Sequence, residues 1–247
     1  MDISKLVRQA VSDEIEKTDP ETKYRTPLVG VARADDPLFE KLREVTHAGH
    51  LHPRDLLEDA RSAVAFFLPF TGELADANRA GTMATRRWAE AYVETNALIS
   101  RVTAHITEKL SAMGIRAAYQ SPTGNFDTDK LMANWSHRHV AYIAGLGTFG
   151  LHNLLITEAG CLGRLGSFVL DKRVEPTPRP TEERCLVRSG RDCGACMDLC
   201  PTGALTEEGF DRHRCYDWLL KTDLHLDISS AAVCGKCSLG PCATRIP

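Results

Sequence analysis

Nine cysteines stand in this chain of 247 residues, and eight of them crowd into its last 63 positions: Cys185, Cys193, Cys196, Cys200, Cys215, Cys234, Cys237 and Cys242. Only Cys161 lies earlier. Thiols at this density bind soft metals or inorganic clusters, or oxidise to disulfides. The N-terminus, Met1-Asp2-Ile3-Ser4-Lys5, opens an amphipathic stretch without the long apolar run of a signal peptide. A reducing, cytoplasmic setting is therefore expected, with a metal or cluster site rather than a disulfide scaffold.

The spacing narrows the chemistry. Cys193-Gly-Ala-Cys196-Met-Asp-Leu-Cys200-Pro201 carries the C-x2-C-x3-C-P core of a bacterial ferredoxin motif. That motif expects a further cysteine where Gly190 stands, and Cys185 is the nearby replacement. Two cubane clusters need eight thiolates, the number this segment supplies. In such modules the cysteine before proline crosses to the other cluster. The expected sets are Cys185, Cys193, Cys196 and Cys242 for one [4Fe-4S] cluster, and Cys200, Cys215, Cys234 and Cys237 for the other. Two zinc sites are the competing reading, since Cys193-x2-Cys196 and Cys234-x2-Cys237 are also zinc-knuckle spacings. Cys161 reads as a small buried residue.

A second concentration of chemistry runs from Trp135 to Gly150. Gly145, Gly147 and Gly150 match G-x-G-x-x-G in outline. The pattern follows a helical stretch and precedes a strand, the reverse of a dinucleotide site, so that reading is rejected. Such glycines instead let a backbone approach a flat, bulky group or make a tight turn. His137 and His139 point to different sides of a helix, and His137 is a candidate proton donor. His47, His50 and His52 read as exposed loop histidines, and Arg86-Arg87 as a solvated helix face.

These groups need elements to hold them. Apolar residues at helical spacing predict an N-terminal helix from Ile3. Strands are expected over 27–34, 62–70, 115–119, 154–157 and 167–170, with helices from Pro37 to Val45, from about Thr85 to Met113, and from Asp129 to Ala144. Positions 145–150 are expected to form a loop. The run 140–156 is the best membrane candidate, but its glycines, His152 and short length mark it as buried protein. Between Asp171 and Arg184, Pro176, Pro178 and Pro180 alternate with charges, predicting an extended connection. The expected organisation is an α+β domain over residues 1–175 and a cysteine-rich domain over 176–247. A net charge of −3 argues against a dominant polyanion-binding surface.

Three stretches together resemble a known family. Leu51-His-Pro-Arg-Asp-Leu-Leu-Glu-Asp-Ala-Arg-Ser-Ala-Val64, then Ala144-Gly-Leu-Gly-Thr-Phe-Gly150 with Asn153-Leu-Leu-Ile156, then the cysteine module, look like epoxyqueuosine reductase and its shorter relatives. The same layout occurs in reductive dehalogenases. The resemblance implies a nitroreductase-like cobalamin-binding domain followed by a ferredoxin-like two-cluster module. The clusters would feed electrons to cobalt, which acts on a substrate.

On that basis Trp135, His139 and the loop residues Gly145, Leu146, Gly147, Thr148, Phe149 and Gly150 are expected to bind the cofactor. The family's acid lies in an Asp-Ser/Thr-x-Pro context, and Asp127 is the best match here, although its proline is missing. To donate a proton near neutral pH its carboxyl must be buried and protonated. The chain stops at Pro247, before the family's helical-repeat region. A small-molecule substrate is therefore expected rather than tRNA, with an external donor such as ferredoxin or flavodoxin and no membrane. The alternative is an electron-transfer protein for another corrinoid enzyme or metalloenzyme, without substrate chemistry of its own.

Overall fold

The computed structural model describes residues 1–127 and 129–247. At its centre β1 (Leu28–Arg33), β2 (Ser62–Pro69), β3 (Ala117–Tyr119) and β8 (Gly163–Leu170) form an antiparallel sheet in the order β1-β2-β8-β3. The register places Val31 opposite Val64 and Val64 opposite Phe168. Side chains alternate across a strand, so one face receives Val64, Phe66 and Leu68 and the other Ala63, Ala65 and Phe67.

Helices cover both faces, which is why all of β2 is buried and its sequence reads as an unbroken apolar run. On one face lie α1 (Ile3–Thr18) and α5 (Arg86–Ala112), packing Val7, Val11, Leu98, Ile99, Val102 and Ile106 against the sheet. Each such fully buried aliphatic side chain contributes roughly 1.5–3 kcal/mol. On the other lie α2 (Pro37–Val45) and α6 (His137–Ile143), with Phe39, Leu42, Val140 and Ile143. Asp36 caps α2 by accepting the Leu38 amide, and Pro37 takes the first turn. Shorter helices, α3 (Pro53–Leu56) and α4 (Gly72–Ala77), flank β2 in sequence.

Two sequence expectations need correction. The helix expected over 129–144 begins only at His137. Ahead of it β4 (Phe126–Asp127) and β5 (Met132–Ala133) pair as a hairpin. The Asp127 carboxylate accepts the amides of Asp129 and Lys130, a side-chain turn that competes with helix initiation. The glycine loop is also partly a strand, because β6 (Gly147–Phe149) pairs with β7 (Leu155–Thr157).

The proline-rich stretch carries no helix or strand. It nevertheless lies along the open edge of β1. The Thr177 amide donates to the Val31 carbonyl at 2.9 Å, and the Val31 amide donates to Thr177 Oγ1 at 3.1 Å. An edge strand is thereby covered. Beyond it come α7 (Ala195–Asp198) and α8 (Arg212–Leu226). The C-terminus then returns: Cys161 donates its amide to the Cys242 carbonyl, and Leu162 donates to that of Ala243. Phe70, Trp88 and Leu162 share one apolar cluster with Leu226, Val233, Leu239 and Ala243. The two segments that the connection separates in sequence thus pack against a common core. Among the described residues no helix is long and apolar enough to cross a membrane.

Candidate functional site

All nine cysteines are free. The fold gathers eight of them in two places. Cys185, Cys193, Cys196 and Cys242 line one small hollow with Leu151, His152 and Ile156. Cys200, Cys215, Cys234 and Cys237 stand in the wall of a larger cavity of about 420 Å³.

Local structure explains the placement. Gly194 caps α7, a single turn that carries Cys196 and delivers Cys200 at its end, before Pro201. Asp211 caps α8 by accepting the Arg214 amide, and this sets Cys215 in the first turn. Cys234 and Cys237 flank Gly235, whose φ of +72° begins a tight 3₁₀ turn.

The thiols burden one another electrostatically. Burial, then Cys242, Cys185 and Cys193, push Cys196 up to about 11. Burial and then Cys234 and Cys200 do the same to Cys215, also to about 11. Cys237 is raised to about 12 by burial first and by Cys234, Cys215 and Cys200 after it. Such crowded thiols favour their ionised form only when a cationic centre offsets the repulsion. The donor set therefore fits thiolate-held clusters: soft ligands, gathered in fours at two places, with no disulfide.

The larger cavity is mostly apolar. Phe70, Trp88, Tyr92, Leu154, Phe210 and Trp218 line it, and no carboxylate does so among the described residues. Two arginines stand in its wall. Arg164 lies 4.2 Å over the Tyr92 ring, and its buried Nε has no hydrogen-bond partner among the described residues. Arg138, at the exposed rim, donates to the Asn153 carbonyl at 2.7 Å. Among the described residues His152 is the single histidine in this wall, and it also borders the smaller hollow.

Asp127 and His137, expected to act on a substrate, do not line this cavity. Asp127 is half-exposed in the β4–β5 hairpin, and its carboxylate accepts two backbone amides. These bonds, the Lys130 amide foremost, hold its pKa below the usual carboxylate range. The buried, protonated acid that proton donation requires is not what this structure provides. His137 is enclosed. Its Nδ1 lies 2.7 Å from Ser167 Oγ, its Nε2 lies 3.1 Å from the Ser121 carbonyl, and Trp135 Nε1 donates to the same Ser167 oxygen. Burial pulls His137 down to about 4, so it is a neutral, fully bonded ring.

None of the residues expected to contact a cofactor lines the larger cavity. Trp135 is wholly buried beside Phe39. His139 bonds Ser136 Oγ and packs on Phe149. Gly145, with φ +79°, lets the Thr177 and Pro178 carbonyls approach. Gly147 lies against the Ile156 carbonyl, and Gly150 against the His152 ring. The Leu146 carbonyl accepts from Arg184, and Thr148 Oγ1 accepts the Arg184 amide. The close backbone approaches at these glycines in this structure are to protein. His50 and His52 are buried rather than exposed, since His50 Nε2 accepts the Ser136 amide and His52 caps α3.

Sequence reading missed Arg138, Arg164, Tyr92 and His152 as wall residues. Only His152 left a signal, as the polar interruption in an otherwise apolar run. Among the described residues one further group has metal-ligating spacing: His152, Cys161 and Cys242, with atoms within 4.8 Å of one another.

No protein-family model matches the chain. Among curated proteins it is 28% identical over 180 residues to epoxyqueuosine reductase of Bacillus anthracis, covering 69% of this chain and 43% of that protein. The chain thus spans less than half the length of such relatives. Among solved structures it resembles epoxyqueuosine reductase bound to an epoxyqueuosine-modified tRNA-Tyr stem loop. The TM-score is 0.57 at 24% identity, over 96% of this chain and 66% of that one. It also resembles a reductive dehalogenase whose structure suggests a mechanism for B12-dependent dehalogenation, with TM-score 0.54 at 16% identity, over 85% of this chain and 28% of that one.

The stem-loop complex overturns the expectation that tRNA is no partner. The relative that binds it shares nearly the whole of this fold. Neither a net charge of −3 nor the absence of the helical-repeat region from this sequence excludes such a partner, since a whole-chain charge averages over local patches.

Proposed function

From the premise that this chain is epoxyqueuosine-reductase-like and related to the reductive dehalogenases, we propose that it is an iron–sulfur reductase with two [4Fe-4S] clusters that works with a corrinoid. The observation that carries this reading is the partition of eight cysteines into two groups of four, one of which opens on a cavity of about 420 Å³. In this reading the sheet and its helices form a nitroreductase-like domain and the cysteine segment a ferredoxin-like one. The clusters supply electrons singly, and a corrinoid supplies a strongly reducing metal centre.

The chain's own residues do the rest. Cys185, Cys193, Cys196 and Cys242 hold one cluster, and Cys200, Cys215, Cys234 and Cys237 hold the cluster nearer the cavity. For the corrinoid the fit is one of surface. Trp88, Tyr92, Phe210 and Trp218 offer flat apolar wall and exclude water. A cavity of this volume, open on one side, would admit part of so large a molecule. Among the described residues the one wall imidazole, His152, faces Cys242 through its Nε2. Arg164 and Arg138 give the wall positive charge without a carboxylate to cancel it, which suits a ligand bearing phosphate. A phosphate-rich substrate of the kind bound by the relative meets that requirement.

Anaerobic reconstitution tests the reading. The protein should bind about eight irons and retain an added corrinoid. With a strong reductant it should then convert an epoxyqueuosine-modified tRNA stem loop. Colourless, zinc-containing protein would overturn it. Clusters without corrinoid binding or turnover would favour the electron-transfer alternative.

A further inference from the structure

Cys242 has polar surroundings that no other cysteine of its group shares. His152 Nε2 lies 3.3 Å from its sulfur. The Leu154 amide donates to Nδ1 of the same ring at 3.1 Å. A ring nitrogen that accepts a hydrogen bond carries no proton, so the hydrogen of this neutral imidazole sits on Nε2 and points at the sulfur.

The surrounding chain is shaped to keep it there. Gly150 lies beneath the ring, and a Cβ at that position would come within 2.8 Å of Nδ1. The turn closes through the Gly150 amide on the Leu154 carbonyl at 2.9 Å and the Asn153 amide on the Gly150 carbonyl at 3.0 Å. Asn153 adopts φ +58°, a conformation asparagine tolerates better than most residues. The imidazole is 6% exposed, so water does not compete for its N–H. The last glycine of the run thereby gains a purpose: it seats an imidazole.

We propose that His152 is a positioning residue for the Cys242 sulfur, and that its Nε2–H hydrogen bond raises the reduction potential of the cluster held by Cys185, Cys193, Cys196 and Cys242. A donor directed at a ligating sulfur draws off charge and so stabilises the more negative, reduced cluster. Because His152 borders both hollows, the bond acts where one cluster meets the larger cavity. The inference rests on the two-cluster reading, which the wild-type iron content checks first.

The test is a redox titration followed by electron paramagnetic resonance on the reconstituted full chain, comparing wild type with His152→Leu, His152→Gln and Gly150→Ala. His152→Leu should move one midpoint to more negative values and leave the other in place. Gln, which keeps an N–H, should recover part of the shift. Gly150→Ala, which displaces the ring without removing it, should shift the same midpoint in the same direction. If Leu prevents cluster assembly, the Gln and Ala variants carry the comparison. Unmoved midpoints in variants with full iron, or equal shifts in Leu and Gln, would overturn the proposal. Wild-type protein without iron would instead sink the cluster reading.

Discussion

Gly235 sits flat against the indole of Trp88: a Cβ at position 235 would lie 2.6 Å from Trp88 Nε1, and closer still to the ring carbons. Trp88 belongs to the first turn of α5, and Gly235 to the turn between Cys234 and Cys237. The long helix packed on the sheet thus presses directly on the cysteine segment. Gly235→Ala adds a methyl where there is no room, at a φ of +72°. The expected cost is about 2–4 kcal/mol from overpacking and backbone strain. Iron analysis should find roughly half the wild-type content, lost from the Cys237 side.

Single-cysteine variants test the partition. Cys196→Ala and Cys237→Ala should each remove about half the iron, and the double variant nearly all of it. Full iron in either single variant would refute its place in the ligand set.

Among the described residues Arg164 has no acidic partner in the cavity wall. Arg164→Gln should weaken binding of a phosphate-bearing ligand by about tenfold or more, the value of one charge-assisted hydrogen bond. Cobinamide, a corrinoid without the phosphodiester tail, should bind as it does to wild type. Equal losses for cobalamin, cobinamide and a tRNA stem loop would mean that the guanidinium serves packing instead.

Buried histidines give the fold a defined acid sensitivity. His137 and His139 are held down to about 4, each chiefly by burial. Their unfolded counterparts titrate near 6.5, so between about pH 6.5 and 4 the unfolded chain binds more protons and stability falls as pH falls. Each ring contributes up to about 1.4 kcal/mol per pH unit in that window. Urea midpoints should drop between pH 7 and 5. The double variant His137→Asn, His139→Asn should lose less over that step, though from a lower start, since Ser167 and Ser136 forfeit partners. His50 and His52, also lowered by burial, keep the residual slope above zero.

Much of the scaffold was legible in the chain. The α2 cap at Asp36-Pro37, the buried run of β2 and the span of α5 rest on local rules of capping, length and periodicity. The 129–144 stretch was misread because the Asp127 side-chain turn, a contact between neighbouring residues, outweighed helical periodicity. Asp127 and His137 drew attention by residue type. Their environments, a solvated turn and a partly buried hydrogen-bond chain, follow from packing that no spacing reveals.

By itself the sequence determined the chemistry available: eight clustered thiols with C-x2-C-x3-C-P spacing, because ligand type and short-range spacing are properties of the covalent chain. Tertiary structure decided what surrounds that chemistry. Only the closed fold brings His152 to Cys242 across 90 residues, sets Trp88 on Gly235, and seats the His152 ring over Gly150. Those relationships depend on how the C-terminal chain returns to residues 161 and 162 beside β8, a long-range pairing set by burial and backbone hydrogen bonding.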